Sequence, residues 1–489
     1  MAEDYVIDLE LIKKRAISGV VTFTLRTFFI QVFTFFATFL LTILLDPSIF
    51  GIFFVVSAFI NFFVYFSDIG LAAALIQKKE EPTKEDFKTT FTIQQSLVFT
   101  LVIIGFIFSA KIASFYNLNH DGLVLLRVLI FSLLLSSLKT IPSIVLERKL
   151  NFTRLVIPQV AENIVFYTTA LVLAFAQFGL ASFTWAVLAR GVVGLIIIYL
   201  LSPWRPQLGI KKESAKTLSS FGFPFQVNSL LALLKDDLLI IFLGKILTFT
   251  QVGYIGWAQK WAYLPLRFFM DSVSKVTFPT YSRLQEQRDA LAKAIEKSLF
   301  FVTYLVYPSV FGLSAIAPYV LNIVPNYSKW QGALPLLYLF AINSAFSAVS
   351  TTFTNTLFAI GKPKIVLKLM VFWTTATWLL TYPLIIKFGY IGVGMASAIV
   401  AVTSIATVYY VKKEIPVRVA KSILSPLLIS SIMFIVVKSI GNLIATDLLG
   451  LIITIICGVI IYLAISFTVL KKNLIEDTKV ILSSLIAKR

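Results

Sequence analysis

Long apolar runs alternate with short polar segments along the whole chain. Most runs contain about 20 residues or more, the length at which an α-helix crosses the ~30 Å hydrocarbon core of a bilayer. The pattern predicts fourteen membrane spans and therefore an all-α integral membrane protein. The predicted spans are residues 19–45, 49–70, 90–113, 122–146, 156–177, 180–202, 217–244, 252–279, 298–323, 332–358, 365–386, 391–411, 422–440 and 448–470.

Charged residues fall mainly between these runs. The 489-residue chain is 58% hydrophobic and 14% charged, with 43 Lys and Arg residues and a formal net charge of +19. Thirty of these basic residues lie at the termini and in every second loop, whereas five lie in the other loops. Because cytoplasmic loops of membrane proteins carry an excess of Lys and Arg, both termini are predicted to lie in the cytoplasm. The membrane that the chain spans is predicted to be the inner or plasma membrane of the cell. The basic charge therefore indicates topology, and we expect no nucleic-acid partner.

Residue types that hold metals or perform catalysis are scarce. The single cysteine, Cys457, lies in the last predicted span, and the single histidine, His120, lies in a short external loop. They support neither an intrachain disulfide nor a metal site or catalytic base. Nucleotide-binding and hydrolase signatures are absent from the sequence. We expect no enzymatic activity, no catalytic residue, no metal and no cofactor.

Three cytoplasmic segments have a character of their own. Residues 1–18 carry acids and then three basic residues before the first span, which is too long for a signal-peptide core. This segment is predicted to be a retained, amphipathic lead-in helix. Residues 78–88 and 283–297 are the longest internal segments between spans, and we expect them to form interfacial helices.

Weak internal similarity suggests a repeat. Leu45–Gly51 aligns with Leu247–Gly253, and Phe178-Gly179 aligns with Phe388-Gly389. Six spans per repeat would give two parallel six-helix lobes related by a pseudo-twofold axis along the membrane normal, followed by two C-terminal helices. The predicted parts are residues 1–202 (lead-in helix and spans 1–6), 203–216 (cytoplasmic linker), 217–411 (spans 7–12) and 412–489 (spans 13 and 14 with a cytoplasmic tail).

Several ionisable residues lie within or beside the predicted spans, where a charge costs roughly 2.5–3.5 kcal/mol. The basic ones are Arg26, Arg127, Lys139, Arg190, Lys235, Lys260, Arg267 and Lys275, and the acidic ones are Asp68, Glu162, Asp236, Asp237 and Asp271. Near the span ends, at Lys275, Arg127 and Asp68, we favour local pairing or snorkelling.

The deeper basic residues predict a substrate site. Arg26, Lys235 and Lys260 are expected to line a water-filled cavity between the lobes and to bind an anionic group such as a phosphate or pyrophosphate. Arg267 shares a helical face with Lys260 and joins this set, although it could instead neutralise Asp271 four residues later.

Two further sets of candidates follow from residue type. The rings of Trp257, Trp261 and Tyr263 lie close to these cationic residues in the sequence and could stack on sugars, although plain packing explains them equally well. Carboxylates in a low-dielectric interior have raised pKa values, which makes such groups suited to reversible protonation. Coupling to protons would use Glu162, Asp236 and Asp237, and sodium is the alternative coupling ion.

Several motifs occur in the order seen in one family of exporters. The runs are Ala16–Gly19, Leu45–Gly51 and Ser67–Lys79 in the first half, and Phe221–Pro224, Asp237–Gly244, Val252–Tyr254, Leu264-Pro265 and Phe278–Leu284 in the second. This ordered set, spread from about residue 10 to residue 410, resembles Wzx-type polysaccharide exporters, in particular the colanic acid and teichuronic acid branch of the multidrug/oligosaccharidyl-lipid/polysaccharide flippase superfamily.

The resemblance implies a fold and a function. It implies two six-span lobes around a V-shaped cavity and two further C-terminal spans. Our hypothesis for the mechanism is alternating access. It also implies a lipid-linked substrate, an oligosaccharide repeat unit on a polyprenyl-pyrophosphate carrier, flipped to the external leaflet. A polysaccharide polymerase and a chain-length regulator would be protein partners, with membrane lipid around the spans. The alternatives are a cation-coupled small-molecule efflux carrier of the same superfold and a membrane glycosyltransferase or ligase.

Overall fold

A computed structural model describes residues 9–68, 70–78, 80–220 and 237–486. Every regular element within these ranges is helical. The helices are α1 (Leu9–Leu44), α2 (Pro47–Tyr65), α3 (Leu71–Gln77), α4 (Lys84–Phe115), α5 (His120–Leu138), α6 (Thr140–Arg148), α7 (Phe152–Phe175), α8 (Ala181–Leu201), α9 (described over residues 212–220), α10 (Asp237–Ile246), α11 (Phe249–Leu284), α12 (Arg288–Ile323), a short 3-10 helix (Ser328–Ala333), α13 (Leu334–Ala359), α14 (Pro363–Phe388), α15 (Ile391–Thr403), α16 (Ala406–Glu414), α17 (Val419–Ile444) and α18 (Leu448–Ile486).

The helices confirm a multi-pass, all-α membrane protein. Twelve helical stretches in the described residues are long and apolar enough to cross a membrane. They coincide with predicted spans 1–6 and 9–14. Predicted span 7 falls largely on residues 221–236, outside the described part, and predicted span 8 lies within α11, whose polar residues keep it out of the twelve. The count of fourteen is compatible with these helices and stays a prediction.

The predicted interfacial helix over residues 78–88 is wrong, because a capping box starts α4 inside that segment. The Thr83 side chain accepts a hydrogen bond from the backbone N–H of Asp86, and the Asp86 carboxylate accepts one from the backbone N–H of Thr83 at 2.8 Å. Lys78 also donates to this carboxylate, with an Nζ–Oδ2 distance of 2.6 Å. These contacts hold the preceding chain in a non-helical conformation and begin the long helix at Lys84.

The other cytoplasmic segments also become parts of long helices. α11 continues to Leu284 and α12 begins at Arg288, so the segment 283–297 forms no separate interfacial helix. At the N-terminus, α1 is one continuous helix from Leu9 into the first span, and residues 1–8 lie outside the described part.

The chain divides into two compact units, residues 1–253 and 254–489. In the first unit α7 packs against α1 and α8, and α5 packs against α4 and α8, while a buried apolar cluster around Leu71 and Ile141 joins the short helices α3 and α6. In the second unit α12 lies along α13 and α17, and Val306 is a fully buried member of one apolar cluster. The lobe and linker boundaries derived from the internal repeat stay a prediction.

The aligned repeat segments meet inside the first unit. A Cβ atom added at Gly51 would overlap the main-chain carbonyl of Phe249, and one added at Gly253 would overlap the carbonyl of Pro47. At the offset of 202 residues that relates Gly51 to Gly253, Pro47 corresponds to Phe249. The contact is therefore reciprocal, as expected for two segments related by a pseudo-twofold axis, and glycine is required at both positions because a side chain would force the backbones apart.

Candidate functional site

A cluster of three charged side chains lies inside the first unit, where α5, α7 and α8 pack together. The Glu162 carboxylate on α7 forms ion pairs with both basic side chains. Lys139 Nζ lies 2.6 Å from Oε1, and Arg190 Nε lies 3.6 Å from Oε2. The side chains of Lys139 and Glu162 are 18% and 12% exposed, whereas Arg190 is 55% exposed. The first pair is therefore shielded from water and costly to break, while the Arg190 contact is longer and more solvated.

Local backbone features place these groups. Lys139 stands at the junction of α5 and α6, and its carbonyl accepts hydrogen bonds from the Ser143 backbone N–H and hydroxyl at 3.1 and 2.8 Å. On α8, Gly194 faces Glu162, and a Cβ at this glycine would overlap the carboxylate. The missing side chain of Gly194 thus leaves the space that the carboxylate occupies between α7 and α8.

A cavity of about 260 Å³ adjoins this cluster. Its lining consists of Ser136, Lys139, Thr140, Ser143, Leu155, Pro158, Gln159, Glu162 and Ile198. Gln159 Oε1 is buried and has no hydrogen-bond partner among the described residues, whereas Thr140 Oγ1 accepts a hydrogen bond from Gln94 Nε2 at 2.9 Å. Pockets for drug-sized ligands usually measure about 300–1,000 Å³, so this cavity suits a group the size of one sugar ring or one phosphate.

The candidates of the predicted central cavity are distributed over several helices. Arg26 lies on α1, and its Nε is buried without a hydrogen-bond partner in the described part of the chain. Lys235 and Asp236 lie outside the described residues. Asp237 is the first described residue of α10 and accepts a hydrogen bond from Asn61 Nδ2 at 3.1 Å. An anionic ligand at Arg26 stays a prediction, although an unsatisfied buried guanidinium N–H is consistent with one.

The polar residues of α11 differ in exposure. Lys260 is partly buried, whereas Arg267 and Asp271 are both exposed. Within the ranges that the structure describes, Arg267 and Asp271 form no ion pair with each other, which disfavours mutual neutralisation of the two charges. Ser274, three residues after Asp271, accepts a hydrogen bond from Asn355 Nδ2 of α13 at 2.9 Å. Arg267 therefore keeps its guanidinium available, and its role in substrate binding stays a prediction.

The aromatic candidates are engaged in packing. Trp257 and Trp261 are 6% and 5% exposed, and Trp257 stacks on Trp330 with ring centroids 5.7 Å apart and planes inclined by 18°. Trp257 Nε1 also donates to the Tyr327 hydroxyl at 3.1 Å, and the Tyr263 hydroxyl lies 3.4 Å from a serine hydroxyl on α15. These contacts favour the packing alternative for the two tryptophans, and sugar stacking by this set stays a prediction.

Two charged residues near predicted span ends form hydrogen bonds with neutral groups, and the pairing or snorkelling favoured for them stays a prediction. Arg127 Nε donates to Ser109 Oγ at 3.1 Å. Both carboxylate oxygens of Asp68 accept a hydrogen bond from the Ala72 backbone N–H at 3.2 Å, at the start of α3. These contacts give no indication of a ligand.

Lys139 and Arg190 form part of the cluster, although their positions in the sequence predicted no role for them. A partial signal was present, since Gln159 and Glu162 are three residues apart on one helix and so share a face. Lys139 and Arg190 lie on separate spans with no acid near them in the sequence. Their meeting at Glu162 depends on helix packing, which spacing along the chain does not reveal.

More than half of the chain matches one known protein family. Residues 40–335 match the model of the family described as "Polysaccharide biosynthesis protein". The chain belongs to this family. The resemblance to Wzx-type exporters seen in the motifs is thereby confirmed.

Curated relatives of this polysaccharide biosynthesis protein are distant and match in part. The succinoglycan biosynthesis transport protein ExoT of Rhizobium meliloti is 22% identical over 65% of this chain and 64% of its own length. The teichuronic acid biosynthesis protein TuaB of Bacillus subtilis is 22% identical over 56% of this chain and 57% of its own. The lipopolysaccharide biosynthesis protein WzxC of Escherichia coli is 23% identical over 63% and 62%. In each case the match spans less than two thirds of the relative's length.

Solved structures share the fold of this family member. The lipid II flippase MurJ in an inward closed conformation superposes with a TM-score of 0.76 and 17% identity, covering 93% of this chain and all of the other. An inward-facing multidrug resistance MATE transporter of the MOP superfamily gives a TM-score of 0.57 and 16% identity, covering 77% of this chain and 94% of the other. The fold of this chain is therefore the one that these two transporters share.

Proposed function

We propose that this protein is a flippase that moves a polyprenyl-pyrophosphate-linked oligosaccharide from the cytoplasmic to the external leaflet during assembly of a cell-surface polysaccharide. Its membership of a polysaccharide biosynthesis family, on a fold shared with a lipid II flippase, is the observation that carries this proposal. The protein acts as a transporter in the inner or plasma membrane, with both termini in the cytoplasm. It performs no covalent chemistry and needs no cofactor.

Transport follows an alternating-access cycle. The headgroup enters a cavity whose cationic residues are Arg26, Lys235, Lys260 and Arg267, while the lipid tail stays in the bilayer. Guanidinium and ammonium groups bind phosphate oxygens by charge-assisted hydrogen bonds, and Arg can do so with two parallel bonds. An inside-negative potential contributes roughly 2.3 kcal/mol per charge per 100 mV, or about 4–5 kcal/mol for a headgroup with two negative charges.

The return step is coupled to a cation, either a proton or sodium. Glu162, Asp236 and Asp237 are the proposed carboxylates, and the contacts of Glu162 with two basic side chains make its charge state consequential for the packing of α5, α7 and α8. A transport rate in proteoliposomes that is the same with and without a proton gradient, and with and without a sodium gradient, would contradict coupling to either ion. A polysaccharide polymerase and a chain-length regulator are the proposed partners that receive the flipped unit.

A deletion strain tests the proposal. Cells lacking the protein should accumulate lipid-linked repeat units facing the cytoplasm and should lose surface polysaccharide, because the units cannot cross the bilayer. Both phenotypes should be reversed by the wild-type gene. Normal polysaccharide together with increased sensitivity to small cationic drugs would instead indicate an efflux carrier, and a failure to form the lipid-linked unit would indicate a glycosyltransferase or ligase.

Single substitutions test the cationic cavity. Arg26→Ala, Lys235→Ala and Lys260→Ala should each lower export, whereas Lys364→Ala, which removes an exposed charge at the start of α14, should leave export unchanged. Protein levels in the membrane are compared for all variants. Wild-type export by all three cavity variants would contradict a cationic substrate cavity.

A further inference from the structure

We propose that the segment between α8 and α9 is a membrane-binding strap, which inserts two apolar side chains into the cytoplasmic leaflet and binds the headgroups of anionic phospholipids. The strap comprises residues 203–211, which form neither helix nor strand. The inference uses the membrane orientation predicted from loop charge and does not depend on which substrate the protein moves.

Three contacts fix the strap to the beginning of α4. The backbone N–H of Gly209 donates to Thr92 Oγ1 at 2.9 Å, and the backbone N–H of Lys211 donates to Thr89 Oγ1 at 3.0 Å. The ring of Trp204 adds an aromatic contact with α4, with ring centroids 4.9 Å apart. Thr89 is fully buried, although it lies close to the end of its helix. The strap is therefore a docked part of the first unit.

The strap covers one side of α4, and farther along the helix this side faces lipid. At 3.6 residues per turn, Phe99 and Ile103 lie within about 20° of Thr92 around the helix axis. Their side chains are 51% and 56% exposed. Large apolar side chains that are exposed in the middle of a membrane span face the lipid tails, which are equally apolar. The strap consequently lies on the lipid-facing surface of α4.

The charges along α4 set the depth of the strap in the bilayer. Lys88 and Lys111 flank residues 89–110, which contain no charged side chain. At 1.5 Å per residue this stretch is about 33 Å long, close to the ~30 Å thickness of the hydrocarbon core. Thr89 and Thr92, which hold the strap, lie within the first four residues of the stretch, at its cytoplasmic end in the predicted topology. The strap therefore lies where hydrocarbon meets headgroups, a level at which water and headgroups can pair with the backbone of a non-helical segment.

Two apolar side chains of the strap are largely uncovered by protein. Leu208 and Ile210 are 76% and 62% exposed. They alternate with Gly209 and Lys211, whose backbone N–H groups point at α4. Gly209 lies beside the stem of Lys88, since a Cβ atom at this glycine would be 3.8 Å from Lys88 Cδ. Insertion of Leu208 and Ile210 into the leaflet would remove their apolar surface from water, which is favourable.

Basic residues surround these two apolar side chains. They are Arg205, Lys211 and Lys212 on or next to the strap, and Lys88 on α4. Lys211 and Lys88 each have a glutamate partner at 3.4 Å, Glu213 and Glu85 respectively. Arg205 and Lys212 are exposed and form no ion pair within the described ranges. Basic side chains next to a membrane span attract anionic lipids, so this arrangement fits a phospholipid whose phosphate pairs with the cations while its acyl chains contact Leu208 and Ile210.

A fluorescent label on the strap tests the insertion. Cys457 is the only cysteine, so Cys457→Ser gives a background in which Leu208→Cys can be labelled with bimane. The purified full-length protein is placed in phosphatidylcholine nanodiscs that contain a phospholipid with a nitroxide quencher on one acyl chain. Bimane at residue 208 should be quenched at least about half as strongly as bimane in Phe99→Cys, which faces lipid. Bimane in Glu286→Cys, in the exposed turn between α11 and α12, should not be quenched. Quenching at residue 208 that is no stronger than at residue 286 would overturn the insertion.

A comparison of two quencher lipids tests the headgroup. At equal content, nitroxide-labelled phosphatidylglycerol should quench bimane at residue 208 about twofold more than nitroxide-labelled phosphatidylcholine, because anionic lipid is enriched beside basic side chains. Arg205→Gln combined with Lys212→Gln should abolish this preference. The control, Lys364→Gln combined with Lys413→Gln, removes two exposed charges elsewhere and should retain the preference. Equal quenching by the two lipids before these substitutions, or a preference that survives Arg205→Gln with Lys212→Gln, would overturn the headgroup site.

Discussion

The contact between Lys139 and Glu162 gives a quantitative prediction. Glu162→Gln removes the only carboxylate of the cluster and leaves Lys139 and Arg190 facing a neutral amide in a poorly solvated space. Breaking a buried ion pair by removing one partner costs about 3–5 kcal/mol. Since the two side chains of the close pair retain 18% and 12% exposure, we expect the lower end of this range, about 3 kcal/mol in the free energy of unfolding.

The reciprocal substitution should be less damaging. In Lys139→Met the Glu162 carboxylate keeps Arg190 as a partner, so we expect a loss of about 1.5 kcal/mol, near the value of one hydrogen bond to a charged group. The double variant removes both charges of the close pair and avoids stranding either one. It should lose about 1.5 kcal/mol or less, well below the ~4.5 kcal/mol that independent losses would give.

A double-mutant cycle measures this coupling. Unfolding of the purified protein by SDS in mixed micelles, followed by far-UV circular dichroism, gives a free energy for each of the four proteins. The matched control is the exposed pair Lys88 and Glu85, whose charged atoms lie 3.4 Å apart on α4 and which should show a coupling below about 0.5 kcal/mol. Additivity within about 0.5 kcal/mol at the Lys139–Glu162 pair, or a smaller loss for Glu162→Gln than for Lys139→Met, would contradict a buried, coupled ion pair.

Two further substitutions probe the packing of the first unit by thermal unfolding in detergent. Gly51→Ala should destabilise the protein by about 1–3 kcal/mol, because its Cβ would overlap a main-chain carbonyl that cannot rotate away. The control is Gly312→Ala, whose Cβ would meet Met433 Cε at 3.5 Å and which should be neutral or stabilising. Equal melting temperatures for the two variants would contradict the close approach at Gly51. Arg148 donates from Nη1 to three carbonyls between Leu75 and Lys78 at 2.8–3.0 Å and from Nη2 to a fourth. Arg148→Ala should therefore lower the free energy of unfolding by about 2–3 kcal/mol and speed proteolysis of residues 78–83, and Arg148→Lys should recover a minor part of this stability. A proteolysis rate unchanged from wild type in Arg148→Ala would count against this role.

Local sequence properties determined the spans of this protein. Hydrocarbon has no hydrogen-bonding groups, so a spanning segment must satisfy its own backbone as a helix and must be apolar over about 20 residues. Both requirements are readable along the chain, and twelve of the predicted spans reappear as long apolar helices in the described residues. The prediction of an interfacial helix over residues 78–88 was wrong because the Thr83 capping box starts α4 at Lys84, within that segment. A capping box is a local signal that the hydropathy pattern does not contain.

The functional groupings depended on tertiary structure. Spacing suggested a pair between Arg267 and Asp271, yet the two exposed side chains do not meet, because four-residue spacing permits a contact without requiring one. Sequence distance concealed the cluster at Glu162, whose partners are 23 and 28 residues away on neighbouring helices.

The pattern of side chains along the chain is therefore enough to predict that this protein crosses the membrane many times and which residues carry charge within the spans. Which of those charges share a site follows from the packing of α5, α7 and α8. Helix formation and membrane insertion depend on a local stretch of side chains. Ion pairs and cavities depend instead on which helical faces meet, and here that includes the space left by Gly194 for the Glu162 carboxylate.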